Sequence, residues 1–215
     1  MWNLIELPEK VSFPLAACLE PLSVAIHAIR RADIQEKDTV AVVGLGAIGL
    51  FAVAVLLSMG VEKIYALGNK PFQLDKVKHM GLPEAQYFAS PEAQPDCNAV
   101  LECVGKPNTL ATALHCAAPN GRVVTVGNPN GDIVLTKADY WKILRNQLTV
   151  LGTWNSSFKH DEDDDWHLAI KLLKYNAGMF SSILSHQLSL QQLDLGLKMM
   201  RDKTEPYSKV IVISG

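Results

Sequence analysis

The sequence has no basic excess. Its 215 residues carry 20 Lys and Arg against 22 Asp and Glu, a net charge of -2. Binding to nucleic acid or an anionic membrane surface calls for a cationic footprint, so neither partner is expected. The four cysteines, Cys18, Cys97, Cys103 and Cys116, form no C-x-x-C pair. That excludes a zinc ribbon and a dithiol redox motif, and leaves four reduced, mostly buried thiols in a cytoplasmic protein. No apolar run is long and unbroken: the stretch from Thr39 to Met59 is interrupted by Gly44, Gly46 and Gly49. A membrane span is therefore not expected. The first residues show neither a cationic start nor an apolar stretch, so they do not read as a signal peptide. Internal repeats are absent, and the one biased segment is the acidic run Asp161–Asp165.

What is present is a globular composition, 48% apolar and 20% charged. The length suits one large domain, or one domain with part of another, and needs no staples to hold a core. From Asp38 the pattern alternates. Thr39–Val43 reads as a buried parallel strand and is followed by a glycine turn, Gly44–Gly49. Leu50–Met59 continues as a helix stopped at Gly60. Further strands are expected at Lys63–Leu67, from Asn98, at Arg122–Val126 and at Leu148–Leu151. Helices are expected at Pro71–Met80, Thr109–Cys116 and Ala138–Arg145. This rhythm predicts an α/β fold with a doubly wound parallel sheet of the Rossmann type, and the early glycine turn disfavours a flavodoxin-like strand order. Before it, residues 1–13 read as extended and Pro14–Arg31 as helix in two pieces, broken at Glu20. The rhythm changes after Phe158. A helix through Tyr175, another near Leu190–Asp202 and a strand Lys209–Ile213 form an α+β tail that need not join the main sheet.

Gly44-Leu45-Gly46-Ala47-Ile48-Gly49 is a G-x-G-x-x-G between strand and helix, the context in which that motif carries meaning. Gly44 permits the tight turn, Gly46 admits a pyrophosphate to the backbone, and Gly49 allows close packing of helix on strand. The helix start, with Ala47 and Ile48, offers N–H groups and a partial positive charge to phosphates. A bare turn without ligand is the plain alternative. No Lys-Ser/Thr follows, so it is not a P-loop. A dinucleotide fold that prefers NAD usually ends its second strand in a carboxylate for the ribose 2′-OH. Here that strand ends Leu67-Gly68-Asn69-Lys70-Pro71. Gly68 removes the charge that would repel a 2′-phosphate, while Asn69 and Lys70 supply a donor and a cation. NADP is the expected cofactor; NAD with a merely solvated Lys70 is the other reading.

Glu20, amid Ala16-Ala17-Cys18-Leu19 and Pro21-Leu22, needs a cation, a metal or a hydrogen bond if it is buried. On composition alone it serves as the cap of the helix that Pro21 starts. The acidic run beside His160 could suggest calcium, but acidic residues also favour the first turn of a helix, and that reading is preferred.

These pieces together resemble the medium-chain zinc-dependent alcohol and polyol dehydrogenases. The resemblance rests on Leu19-Glu20-Pro21-Leu22-Ser23-Val24-Ala25, the glycine motif, Glu102-Cys103-Val104-Gly105 and Gly121-Arg122-Val123-Val124-Thr125-Val126-Gly127. Tyr140–Leu148 and Gly152-Thr153-Trp154-Asn155-Ser156-Ser157 resemble the sorbitol and galactitol-phosphate dehydrogenase branch. The Gly68-Asn69-Lys70-Pro71 turn is similar to the Gly-Ser-Arg-Pro turn of NADP-using members. The resemblance implies hydride transfer between NAD(P) and a secondary alcohol of a polyol or sugar-alcohol phosphate, with zinc polarising the alcohol oxygen. It implies that Cys103 and Val104 line the adenosine side, and that Val126, Gly127, Asn128 and Gly152-Thr153 border the nicotinamide. It assigns 1–13 to a lead-in, 14–158 to the cofactor domain and 159–215 to a segment completing a catalytic domain. It places Glu20 beside the catalytic zinc, whose Cys and His ligands lie in a preceding domain. These 215 residues alone are thus expected to bind the dinucleotide, not to hold zinc or turn over, and to self-associate. A nucleotide-binding module without catalysis is the alternative from another class.

Overall fold

The computed structural model describes residues 4–89 and 95–214, so the first three residues of the lead-in lie outside the described residues. Two helices come first, α1 (Phe13–Ala16) and α2 (Leu19–Arg31). The alternating part runs β1 (Thr39–Val43), α3 (Ala47–Ser58), β2 (Lys63–Leu67), α4 (Pro71–His79), β3 (Tyr87–Phe88), β4 (Cys97–Glu102), α5 (Thr109–His115), β5 (Ala117–Thr125), α6 (Lys137–Arg145) and β6 (Thr149–Gly152). Then follow α7 (Asp165–Tyr175), α8 (Ala177–Ser181), β7 (Leu184–Ser189), α9 (Leu193–Asp202) and β8 (Lys209–Ile213).

The main sheet has the order β3-β2-β1-β4-β5-β6 and every pairing in it is parallel. This is the Rossmann order, with its switch point between β1 and β4, and not the flavodoxin order. Strands covered on both faces explain the β-branched, uncharged runs. In β1, Val40 and Val42 join one core while Ala41 and Val43 join the other, as a period of two requires. In β4, Ala99 and Leu101 face the first core and Val100 the second. Cys97 should share the face of Ala99 but lies in the second core, because the register shifts between them.

Helix α3 is apolar all round, and Gly49–Leu56 are all buried. It lies between the sheet and α2, and α8 closes over it with Phe180 stacked 6.4 Å from Phe51. Ala169 and Leu173 of α7 and Ile183 join the same core. Thus α7 and α8 pack as part of the main layer, while β7 and β8 pair in parallel as a separate two-stranded sheet. β3, α8 and β7 have no counterpart in the sequence reading. The tail's separate sheet agrees with the change of rhythm after Phe158.

Helix starts differ from expectation at the acidic run, where α7 begins only at Asp165, and more tellingly at the glycine motif and at Glu20. α3 begins at Ala47, inside the glycine motif, because Gly46 is extended (φ -73°, ψ -170°) and serves as the N-cap. α2 begins at Leu19 with Cys18 at its N-cap, so Glu20 lies in the first turn and neither marks a break nor caps the helix. Pro21 fits there because early N–H groups have no partner to lose. Among the described residues no helix is long and apolar enough to cross a membrane.

Candidate dinucleotide cleft

At the carboxyl ends of β1, β2 and β4 the loops are laced together by backbone bonds. The Gly44 N–H donates to Leu67 O at 2.8 Å, Gly68 N–H to Phe88 O at 3.0 Å and Cys103 N–H to Val43 O at 2.9 Å. Gly44 has φ +93°, and a Cβ there would overlap Val104. A Cβ on Gly49 would overlap the Gly44 carbonyl, so the third glycine is fixed by helix-to-turn contact. A Cβ on Gly46 would meet nothing within 4 Å, which leaves the backbone open to a close ligand. Behind it, the first-turn N–H groups of Ala47, Ile48 and Gly49 lack an intrahelical acceptor.

A cleft of about 620 Å³ opens at this switch point. Gly44, Gly46, Gly68, Asn69, Lys70, Cys103 and Val104 line it, so the glycine turn, the strand-end turn and the pair expected on the adenosine side are brought together. Val126, Gly127 and Asn128 do not line it. They sit beyond β5, where Val126 and Gly127 donate to Glu102 O at 2.8 and 2.9 Å. A Cβ on Gly127 would overlap the Val104–Gly105 backbone, which fixes this loop against the β4 loop. Nearby the Thr153 hydroxyl is buried without a hydrogen-bond partner. Burial and then the adjacent Glu102 carboxylate push the Cys103 thiol far above the ordinary cysteine range, so it is an inert wall residue.

Sequence reasoning missed two side chains here. Glu102, 3% exposed, ends β4 and its Oε1 accepts the N–H groups of Val104 and Gly105, both at 2.9 Å. A lone charge closing an apolar strand just before Gly105 was the available signal. Gln73, 6% exposed, accepts from the Asn69 and Lys70 N–H groups at 3.0 and 3.2 Å and donates to Leu45 O at 2.9 Å. It joins the strand-end turn to the glycine turn; its signal was its place in the first turn of a helix opened by Pro71. Its Oε1 lies 2.6 Å from where a Gly68 Cβ would stand. A side chain at position 68 would therefore have to displace the Gln73 amide that holds this turn. Tyr87 completes the turn, its hydroxyl donating to Lys70 O at 3.1 Å.

The acidic run folds differently. Asp164 caps α7: one oxygen accepts the Trp166 and His167 N–H groups at 3.0 and 2.9 Å and contacts His167 Nδ1 at 2.8 Å. The other accepts from the N–H groups of Lys159 and His160. Burial acts to raise this carboxyl, but the bonds from His167 and Lys159 outweigh it and hold the pKa down to about 2. Asp165, 1% exposed, meets His27 Nδ1 at 2.8 Å, the Arg30 guanidinium at 3.1 Å and the Ser157 N–H at 2.6 Å. These carboxylates are engaged with N–H groups and cations, as the helix-start reading has it.

Glu20 is exposed, so the premise of a buried carboxylate does not hold. Among the described residues no three His, Cys, Asp or Glu side chains gather as a metal-holding group. The zinc that the resemblance implies does not fit the donor set these residues present. The dinucleotide does fit: an open glycine at a helix start, a cleft at the switch point and cations along its wall.

Comparison with known proteins agrees with this geometry. The chain is 27% identical over 221 residues to galactitol 1-phosphate 5-dehydrogenase of Escherichia coli K12, covering 98% of this chain and 63% of that protein. The solved structure of the E. coli galactitol-1-phosphate dehydrogenase superposes with a TM-score of 0.88 at 28% identity, over 98% of this chain and 63% of that one. Sorbitol dehydrogenase of Bacillus subtilis is 28% identical over 155 residues, 68% of this chain and 43% of that protein. A putative zinc-binding dehydrogenase of Sinorhizobium meliloti, solved bound to NADP, shares the fold at 22% identity and TM-score 0.79, over 97% of this chain and 62% of that one. The chain thus spans less than two thirds of the length of these relatives. The family model described as zinc-binding dehydrogenase matches residues 47–174, from the first turn of α3 through α7, and the chain belongs to that family.

Proposed function

We propose that this chain is the cofactor-binding part of a dehydrogenase that moves hydride between NADP(H) and a secondary alcohol of a polyol or sugar-alcohol phosphate. The observation that carries the cofactor reading is the cleft: its described lining includes Lys70, Lys106 and Lys203 and no Asp or Glu, in a chain whose net charge is negative. Such a wall suits a ligand with several phosphate charges. Gly44, Gly46, Ala47, Ile48 and Gly49 would hold the pyrophosphate, and Gly68, Asn69 and Lys70 the adenosine ribose with its 2′-phosphate. Cys103 and Val104 would wall the adenosine side; Val126, Gly127 and Asn128, with the unpartnered Thr153 hydroxyl, would border the nicotinamide. When bound, the nicotinamide supplies the hydride chemistry, and the protein supplies position and exclusion of water. The polyol class rests on kinship with the galactitol 1-phosphate and sorbitol enzymes.

Residues 14–158 are proposed as the cofactor domain and 159–215 as a segment of a catalytic domain, the part in which zinc would be held, with Glu20 beside it. Exposed Val150 on β6 and Trp154 beyond it, with Tyr140, Trp141 and Leu144 on α6, support self-association along the β6 edge. The four free cysteines suit a reducing cytoplasm. Calorimetric titration of the chain with NADPH and NADH tests the cofactor reading. NADPH should bind roughly tenfold more tightly. Equal affinities, or tighter NADH, refute the preference, and no binding of either refutes the cleft.

A further inference from the structure

We infer that Lys203, delivered from the far end of the chain, is a phosphate clamp on the dinucleotide cleft; the inference rests on the cofactor reading above. Lys70 and Lys106 come from loops of the parallel sheet itself. Lys203 comes from the end of α9, in the separate β7–β8 unit, yet it lines the same cleft as Gly46, Lys106 and Thr109.

Three observations set it apart from a solvated surface lysine. It sits just past the α9 C-terminus in the left-handed conformation, φ 54° and ψ 39°. Glycine takes that conformation at little cost, whereas a side chain there is strained. The other cations of α9 are engaged: Lys198 pairs with Asp194 at 2.6 Å, and Arg201 with Asp202 at 2.7 Å. No described carboxylate pairs with Lys203, and no Asp or Glu is among the described residues lining the cleft. An exposed lysine on a strained backbone, with no described carboxylate as partner and lining one cleft with an open helix start, is suited to hold a phosphate there. A phosphate held there would also tie the second unit to the first, because Lys203 and Gly46 would grip one molecule from opposite ends of the sequence.

The test is titration of the chain with NADPH and NADH at low and high salt, for wild type, Lys203→Gly, Lys203→Arg and Lys198→Ala. Glycine suits φ 54°, so Lys203→Gly removes the charge while relieving the backbone, and a folding failure is not expected. It should weaken binding about fivefold at low salt, and less at high salt. Lys203→Arg should restore most of the affinity, and Lys198→Ala should bind as wild type. A loss confined to NADPH places the contact on the 2′-phosphate; an equal loss for NADH places it on the pyrophosphate. Either supports the clamp. Unchanged affinity in Lys203→Gly, with Lys70→Ala still weakening NADPH, overturns the clamp and leaves the cofactor reading standing. A wild-type chain that binds neither dinucleotide overturns both.

Discussion

Two regions of this molecule use charge to opposite ends. Between α2 and α7, Asp165 is engaged with His27 and Arg30, and Asp164 with His167 and with backbone N–H groups. At the carboxyl edge of the sheet, Lys70, Lys106 and Lys203 line a cleft with no described carboxylate among them. Charge that is neutralised inside the protein fixes structure; charge left open beside an unfilled helix start is available to a ligand. A count of charges does not separate the two cases, and the acidic run looks the more suggestive on paper.

Substitutions can break this contrast. The largest effect belongs to the scaffold under the cleft. In Gly49→Val the new Cβ would overlap the Gly44 carbonyl, a backbone group that cannot swing aside as the end of a side chain can. A loss of about 4 kcal/mol in urea unfolding is expected, with dinucleotide binding lost as well. Next is the paired region. Asp165→Ala removes the buried acceptor shared by His27, the half-exposed Arg30 and the Ser157 N–H and should cost about 3 kcal/mol, while the remaining folded fraction keeps its dinucleotide affinity. If affinity falls with stability, the two regions are not independent.

A third test is pH. The Asp164 carboxyl is held at about 2, below its ordinary 3.8. A lowered folded-state value means that its stabilisation is complete above the unfolded value and is lost as pH falls from about 4 to about 2, up to about 2 kcal/mol. Thermal unfolding of Asp164→Asn should show a flatter acid limb than wild type. A smaller effect belongs to Gly68→Asp. Charge alone would predict a switch towards NAD, but the Cβ would displace Gln73 Oε1 and free the turn it holds. The variant should lose about 1 kcal/mol of stability and bind both dinucleotides more weakly, a result that calorimetry separates from a true reversal. Last, Lys70→Ala should weaken NADPH about fivefold, spare NADH and leave the unfolding curve in place.

Much of the fold was legible because each layer repeats one rule. Uncharged β-branched runs between amphipathic or apolar segments dictate buried parallel strands, as in β1, which has its expected bounds; β2, α4 and β8 match theirs to within a residue. Of the elements that were not legible, β3, α8 and β7, the two strands are short or polar. Tyr87–Phe88 becomes a strand by pairing with β2, and Leu184–Ser189 by pairing with β8. Nothing local distinguishes them from loop.

The same division runs through the site. Sequence by itself determined that a glycine turn joins a buried strand to a helix, and that no carboxylate ends the second strand. Those are statements about neighbours along the chain, governed by backbone freedom and side-chain charge. Only the tertiary structure decided that Gln73 occupies the space beside Gly68, that Glu102 holds the β4 loop, that Glu20 faces solvent and that Lys203 reaches the cleft of Gly46. The first two are fixed by how a turn folds back on itself, and Gln73 also bridges 28 residues to Leu45; Lys203 meets the cleft of Gly46 from more than a hundred residues away. Neither kind of contact has a period in the sequence from which it can be read.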